Sequence, residues 1–227
     1  HIGGTLSCLD LLIVIFYSKY ININKKNRDL FILSKGHALA ALYLILIDQK
    51  FLSKKKLANG YQDFTLGGQL DIFNSEFVDW NTGSLGHSIG VSIGLSIRNP
   101  RKKIWVIVGD AEFEEGSIWE ALFYISEKKI NNIIIIVDRN KMSATTKINK
   151  KEIFDKKLLN KLNLNVQEIR GHNYNEIQNC LKKSYRHKLS SLIIANTIKG
   201  KGFKILENNI KYSHQTPSNS ILNSLIK

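Results

Sequence analysis

The segment from Ile104 to Met142 constrains the fold more than any other part of the chain. An apolar run, Ile104–Val108, ends in Gly109-Asp110-Ala111. A helical stretch carrying Glu115-Gly116 follows. A second apolar run, Ile133–Val137, then leads into Asp138-Arg139-Asn140-Lys141-Met142. Short β-branched runs without polar alternation mark strands buried on both faces of a parallel sheet. The segment therefore reads as a strand–helix–strand unit, with an acid at the mouth of the first strand and an amide at the mouth of the second. In an open parallel sheet both mouths lie on the carboxyl edge, where ligands bind. A hard cation takes oxygen ligands there and keeps phosphate oxygens in its shell. Asp110 offers a carboxylate oxygen, Asn140 an amide oxygen and Met142 a backbone carbonyl.

The same strand pattern recurs at Leu30–Leu33, Val166–Ile169 and Leu192–Ala195. Helical patterns lie between the strands, at Cys8–Tyr17, Ala38–Ile47, Ser88–Ile97, Ser117–Ser126 and Tyr174–Leu181. Cys8–Tyr17 is apolar around nearly its whole circumference, which predicts a buried helix. Strands alternating with helices imply right-handed crossovers, so the expected class is α/β: a parallel sheet with helices on both faces. No repeat and no linker divides residues 1–227, and one domain is expected. The tail at 203–227 is polar and rich in Asn, either a flexible segment or a loop over the active edge.

Composition removes several functions. The 227 residues carry a formal charge of +14, but the lysines are scattered among Ile and Asn, as in Asn22-Ile23-Asn24-Lys25-Lys26-Asn27. No basic aromatic stripe accompanies them, so no nucleic-acid partner is expected; a positive field also suits a small anionic substrate. No apolar run reaches membrane-spanning length. The opening His1-Ile2-Gly3-Gly4 has no basic n-region or cleavage site of a secretory signal. The two cysteines, Cys8 and Cys180, lack metal-ligand spacing and read as reduced thiols, consistent with a cytoplasmic protein.

Five segments together resemble one family. Gly109-Asp110-Ala111, with Asn140 downstream, is similar to the signature of thiamine-diphosphate enzymes, which opens Gly-Asp-Gly and closes in Asn about thirty residues later. His1-Ile2-Gly3-Gly4-Thr5-Leu6-Ser7 resembles the early Gly-His-x-Gly-x-x-Leu-Ser segment of transketolases, without its first Gly. Leu33-Ser34-Lys35-Gly36-His37-Ala38 resembles Leu-Ser-x-Gly-His-Ala. Asn81-Thr82-Gly83-Ser84-Leu85-Gly86-His87 and Thr197-Ile198-Lys199-Gly200-Lys201-Gly202, with His214 beyond, match two further segments. Several independent loops agree in order and spacing across nearly the whole chain. The resemblance is to the N-terminal, diphosphate-binding half of transketolase in its split-subunit form, and it implies the thiamine-diphosphate-binding fold.

The resemblance also implies roles. Asp110, Asn140 and the Met142 carbonyl would hold Mg²⁺, or Ca²⁺ in its place, on the cofactor diphosphate. The Ala111 N–H would lie at a helix start, where anions are favoured. His37 and His214 would donate to the diphosphate or assist proton transfer. Gly83, Leu85 and Gly109 would line the cofactor, and His1 and His87 would face the reacting carbon. Glu115, with Glu120, would join an acidic network towards a second active site.

The implied reaction is transfer of a two-carbon ketol unit between sugars or sugar phosphates. The family's cofactor-activating glutamate lies on the other half of the enzyme. A C-terminal, pyrimidine-binding transketolase subunit is therefore the implied partner, in a heterotetramer. Three departures stand out: Ala111 for Gly, Gln69 where better-known transketolases have a substrate-contacting His, and Ser143-Ala144-Thr145-Thr146 in place of an aliphatic–Asp–Gly turn. They keep two alternatives open, a related ketol or acyl transferase of specialised sugar biosynthesis and a non-catalytic partner-binding paralogue. Outside the site, Trp119 and Phe123 are expected in the core, His172 in a structural role and His187 in solvent. Glu112 and Glu114 read as favourable charges near a helix start.

Overall fold

A computed structural model describes residues 1–23, 27–55, 69–73, 77–143, 146–148, 152–213, 215 and 217–226. Among the described residues, five parallel strands form one sheet: β1 (Leu30–Leu33), β2 (Ile104–Gly109), β3 (Ile133–Arg139), β4 (Asn165–Arg170) and β5 (Ser191–Asn196). Their order across the sheet is β1-β2-β3-β5-β4. The main helices are α1 (Ile2–Tyr17), α2 (Leu39–Asp48), α3 (His87–Arg98), α4 (Gly116–Glu127), the short α5 (Lys156–Leu159), α6 (Tyr174–Arg186) and α7 (Asn219–Ile226).

Alternation along each strand divides the core in two. Ile134 and Ile136 of β3 face the cluster with Leu11 and Ile15 of α1, Leu42 of α2 and Ile177 of α6. Ile133, Ile135 and Val137 face the other cluster, with Ile89 of α3 and Ile118 and Leu122 of α4. Each fully buried aliphatic side chain contributes about 1.5–3 kcal/mol relative to exposure. Among the described residues no helix is long and apolar enough to cross a membrane.

Three readings of the sequence need correction. β4 is not buried on both faces; it stands at the sheet edge, half-buried along most of its length. Helix α1 begins at Ile2, six residues before the expected start. Gly3 and Gly4 hid that turn, because glycine disfavours helix interiors, but both are needed there. A Cβ at Gly4 would stand 2.7 Å from Nε2 of His37, and one at Gly3 would stand 3.3 Å from Cγ of Lys199. Phe123 is not in the core: it is 56% exposed on the outer face of α4. Trp119 is half-buried on Phe113 and donates its indole N–H to the Phe113 carbonyl. In the tail, Leu206 and Tyr212 are buried and the Asn208 N–H bonds to the carbonyl of Lys199; just ahead of the tail, the Gly200 N–H bonds to the carbonyl of Gly3 in α1.

Parallel pairing brings the strand ends to one edge. Leu33 lies opposite Ile107, Gly109 opposite Asp138 and Arg139 opposite Asn196. Ser34, Asp110, Asn140 and Thr197, each just past its strand, therefore share the carboxyl edge.

Candidate functional site

A cavity of about 390 Å³ opens on that edge. His1, His37, Gly83, Leu85, Gly109, Asp110, Ala111, Asn140 and Met142, all anticipated from sequence, line it. His87 and Glu115 do not: His87 sits exposed at the start of α3, and Glu115 is exposed at the start of α4. A separate shallow hollow holds His87 with Glu120. His214 lies outside the described residues, as do Gly67, Gly68, Ala144 and Thr145.

Asp110 is almost fully buried. Its Oδ1 accepts the Ala111 N–H at 2.9 Å and its Oδ2 the Lys141 N–H at 2.5 Å. The Ala111 N–H thus binds the neighbouring carboxylate rather than pointing freely into the cavity. Residues Ala111–Glu114 form a 3₁₀ turn ahead of α4. Asn140 Oδ1 accepts the Met142 N–H at 3.1 Å, and its Nδ2 lies 3.3 Å from Ser7 Oγ and 3.4 Å from Asp138 Oδ2. Both oxygen-bearing side chains consequently grip one turn, in which Lys141 adopts φ +62°. Burial, reinforced by the nearby Asp138 carboxylate, pushes the Asp110 carboxyl up to about 6.

Beneath this turn lies a buried polar cluster that sequence reasoning missed. Asp138 has no exposure, and it pairs with the Lys35 ammonium while accepting the Ser7 and Thr197 hydroxyls. Lys35 also donates to the Gly4 carbonyl at 3.1 Å. Burial alone would depress the Lys35 ammonium, but the Asp138 carboxylate overrides it and holds the lysine above its ordinary value. Asp138 is held below the usual carboxylate range, its burial outweighed by Lys35. Its oxygens draw the NH₂ end of Asn140 inward, which sets which end of the amide is left for the turn.

Lys199, quoted within its motif but given no role, lines the cavity and donates to the Ser143 carbonyl at 2.8 Å. Burial, then repulsion from Lys35, lowers its ammonium to about 8. Burial, with Lys35 and Lys199 nearby, lowers the His37 imidazole to about 3, so the ring is neutral at physiological pH. Its centroid is 5.1 Å from that of His1. The neighbouring wall is glycine-lined. Gly83 has φ +131°, and a Cβ at Gly36 would stand 2.3 Å from Oε1 of Gln69. Gln69 thereby takes the cavity wall beside Gly36 and Gly83.

Glu112 was also missed as a site residue; it is buried and bonded across the cavity wall. Outside the cavity, His172 bridges Asp10 at 2.7 Å and the Ile198 N–H at 2.8 Å, while His187 is exposed.

The donor set suits a hard cation shared with a phosphate. Among the described residues no group of three His, Cys, Asp or Glu side chains is placed to hold a metal. A carboxylate, an amide oxygen and a carbonyl can supply part of an oxygen shell, leaving positions for phosphate oxygens. The Lys199 cation and the close-approach glycines fit an anionic, extended ligand along the same cavity.

The family model of the transketolase thiamine-diphosphate-binding domain matches residues 1–220. The chain belongs to the transketolase family. It is the thiamine-diphosphate-binding part of a transketolase-type transferase. It is 30% identical over 230 residues to a protein of Actinobacillus succinogenes named as a subunit of apulose-4-phosphate transketolase, with 96% of this chain and 83% of that protein covered. It is 32% identical over 221 residues to a Clostridium protein named as a subunit of 6-deoxy-6-sulfo-D-fructose transketolase, covering 91% of this chain and 80% of that one. The crystal structure of transketolase from Campylobacter jejuni superposes with a TM-score of 0.81 at 28% identity, covering 97% of this chain but 37% of that enzyme. This transketolase-family chain thus spans most of the named subunits and little more than a third of the Campylobacter enzyme.

Proposed function

We propose that this chain is one subunit of a thiamine-diphosphate- and Mg²⁺-dependent ketol-transfer enzyme and works with a separate C-terminal, pyrimidine-binding subunit in a heterotetramer. One observation carries the reading: Asp110 and Asn140 converge on the Lys141–Met142 turn at the floor of a carboxyl-edge cavity. Asp110, Asn140 and the Met142 carbonyl would hold Mg²⁺ against the diphosphate. Lys199 adds a positive charge to the same wall, and neutral His37 keeps one ring N–H to donate. Gly83 and Gly36 let the backbone approach the cofactor closely, and Leu85 offers apolar surface beside it. When bound, thiamine diphosphate supplies the electron sink for breaking and remaking a carbon–carbon bond of a ketose. The lining residues of this chain would hold and orient the diphosphate end of that cofactor.

The substrates proposed are ketose and aldose sugars or their phosphates. Gln69 favours a specialised sugar within that class, because an uncharged amide occupies the wall beside Gly36 and Gly83. The relatives named for apulose-4-phosphate and 6-deoxy-6-sulfo-D-fructose support the same direction. Two buried, free thiols support a reducing, cytoplasmic location.

The test is two-carbon transfer with Mg²⁺ and thiamine diphosphate, assayed for this chain alone and with its C-terminal partner. Activity is expected only from the pair. Full activity from the lone chain would overturn the two-subunit reading.

A further inference from the structure

Of the three glutamates in and just after the Ala111–Glu114 turn, Glu112 alone turns inward. Glu114 and Glu115 are exposed, whereas Glu112 is 1% exposed. Its Oε1 accepts the Ser34 hydroxyl and the Gly86 N–H, the latter at 2.9 Å. Its Oε2 lies 3.4 Å from the Gly109 nitrogen, whose N–H it accepts. These donors come from three separate segments: the exit of β1, the loop before α3 and the end of β2. Each sits beside a residue of the cavity wall. Ser34 precedes Lys35, Gly86 follows Leu85, and Gly109 precedes Asp110.

An ionised carboxylate is acceptor-only, with room for about four donors, so one side chain can hold three segments at once. Burial pushes its carboxyl above the ordinary value, against the pull of these hydrogen bonds. A favourable charge at a helix start needs no such burial, since exposed Glu114 and Glu115 already supply it. Gly86 is held from its other side as well: Ser117 Oγ donates to its carbonyl at 3.0 Å. Gly86 has φ +83°, and a Cβ there would stand 2.3 Å from that hydroxyl, so the position has room for glycine alone.

We propose that Glu112 is a positioning residue that sets the spacing of three walls of the cofactor cavity, and so the affinity of the site rather than its chemistry. The proposal rests on the cofactor assignment above. Breaking such outer-shell support lowers metal or cofactor affinity by about ten- to a hundredfold.

The test compares Glu112→Ala, Glu112→Gln and Glu114→Gln in the full chain assembled with its partner. Calorimetry reads thiamine diphosphate affinity with Mg²⁺, steady-state kinetics separates cofactor KM from kcat, and amide hydrogen exchange reads Gly86 and Gly109. Glu112→Ala should speed exchange at both glycines, raise cofactor KM about tenfold or more and change kcat little at saturating cofactor. Glu112→Gln keeps one acceptor oxygen but turns an NH₂ group towards one of the donors, so at least one glycine should exchange faster, with an intermediate KM. Glu114→Gln should match the unmodified chain. Unchanged exchange in both Glu112 variants, or faster exchange with unchanged cofactor affinity, overturns the proposal. If the unmodified assembly binds no cofactor, the functional reading fails instead, and the exchange rates still decide whether Glu112 joins the three segments.

Discussion

The carboxylate of Asp110, just past β2, accepts the backbone N–H of Lys141, just past β3, at 2.5 Å. This bond ties the acid at one strand mouth to the turn carrying the amide at the next. The two oxygen donors are thereby set relative to each other by the sheet, before any ligand arrives. Catalytic and metal-binding groups supported in this way by rigid strands hold their geometry better than groups on free loops.

Removing one partner of the buried Lys35–Asp138 pair should be strongly destabilising. Lys35→Met leaves a buried carboxylate without its paired cation, and such losses cost about 3–5 kcal/mol. Chemical denaturation should show it as a lower midpoint. The pH dependence has a defined sign: Asp138 is held below its ordinary value. Its contribution is therefore full above an unfolded-state pKa of about 3.9 and fades as pH falls through its lower folded value. An unchanged midpoint in Lys35→Met would contradict the reading that Asp138 depends on Lys35 for its buried charge.

Lys199 predicts how cofactor affinity varies with pH. Its ammonium is lowered to about 8, so below that pH it meets the diphosphate already charged. Above about 8 a proton must be taken up on binding, and affinity should decline as pH rises. Calorimetry on either side of that value, near neutral pH and about one unit above it, checks this. Lys199→Met should bind more weakly at neutral pH and lose the part of the pH dependence due to this lysine. A variant as pH-dependent as the unmodified chain would exclude Lys199 as the source.

The histidines should separate by position. His37→Ala, in the cavity wall, should lower turnover of the assembled enzyme more than His187→Ala, which removes an exposed ring. His214→Ala should behave like His37→Ala if its motif position governs its role. General acid–base or positioning groups contribute on the order of 10²–10⁴ in rate. Steady-state rates decide it, and a His187 variant weaker than both others would contradict the loop assignments.

Cys8 and Cys180 should resist alkylation in the folded chain. Burial pushes both thiols up to about 12, and the thiolate is the reactive form. Mass spectrometry after iodoacetamide at neutral pH should find both unmodified unless denaturant is present. Rapid labelling of the native chain would contradict the burial.

Much of the frame is legible in the sequence because its signals are local. The Ile-rich runs of β2 and β3 mark buried parallel strands, and Asp110 and Asn140 stand directly after them. β4 carries a weaker signal, because Gln167 and Glu168 interrupt Val166–Ile169; those polar residues fit its half-buried place at the sheet edge, although the strand order itself is not written in any local pattern. The start of α1 is obscured by Gly3 and Gly4, whose reason lies in distant side chains of Lys199 and His37. The Lys35–Asp138 pair joins residues 103 positions apart, so spacing along the chain could not reveal it. Glu112 reads like any acid at a helix start; only its inward direction distinguishes it from Glu114. Phe123 follows Trp119 at helical spacing, but only Trp119 packs against the core, and Phe123 lies on the exposed side of the helix.

Asp110 and Asn140 are proposed to bind the metal that would hold the cofactor diphosphate. Calorimetric titration of thiamine diphosphate into the assembled enzyme, with Mg²⁺ and again with the metal chelated, tests it most directly. The unmodified enzyme should bind tightly only with Mg²⁺, while Asp110→Ala and Asn140→Ala should lose metal-dependent binding and keep the circular dichroism of the folded chain. Cofactor affinity unchanged in both variants would contradict the account.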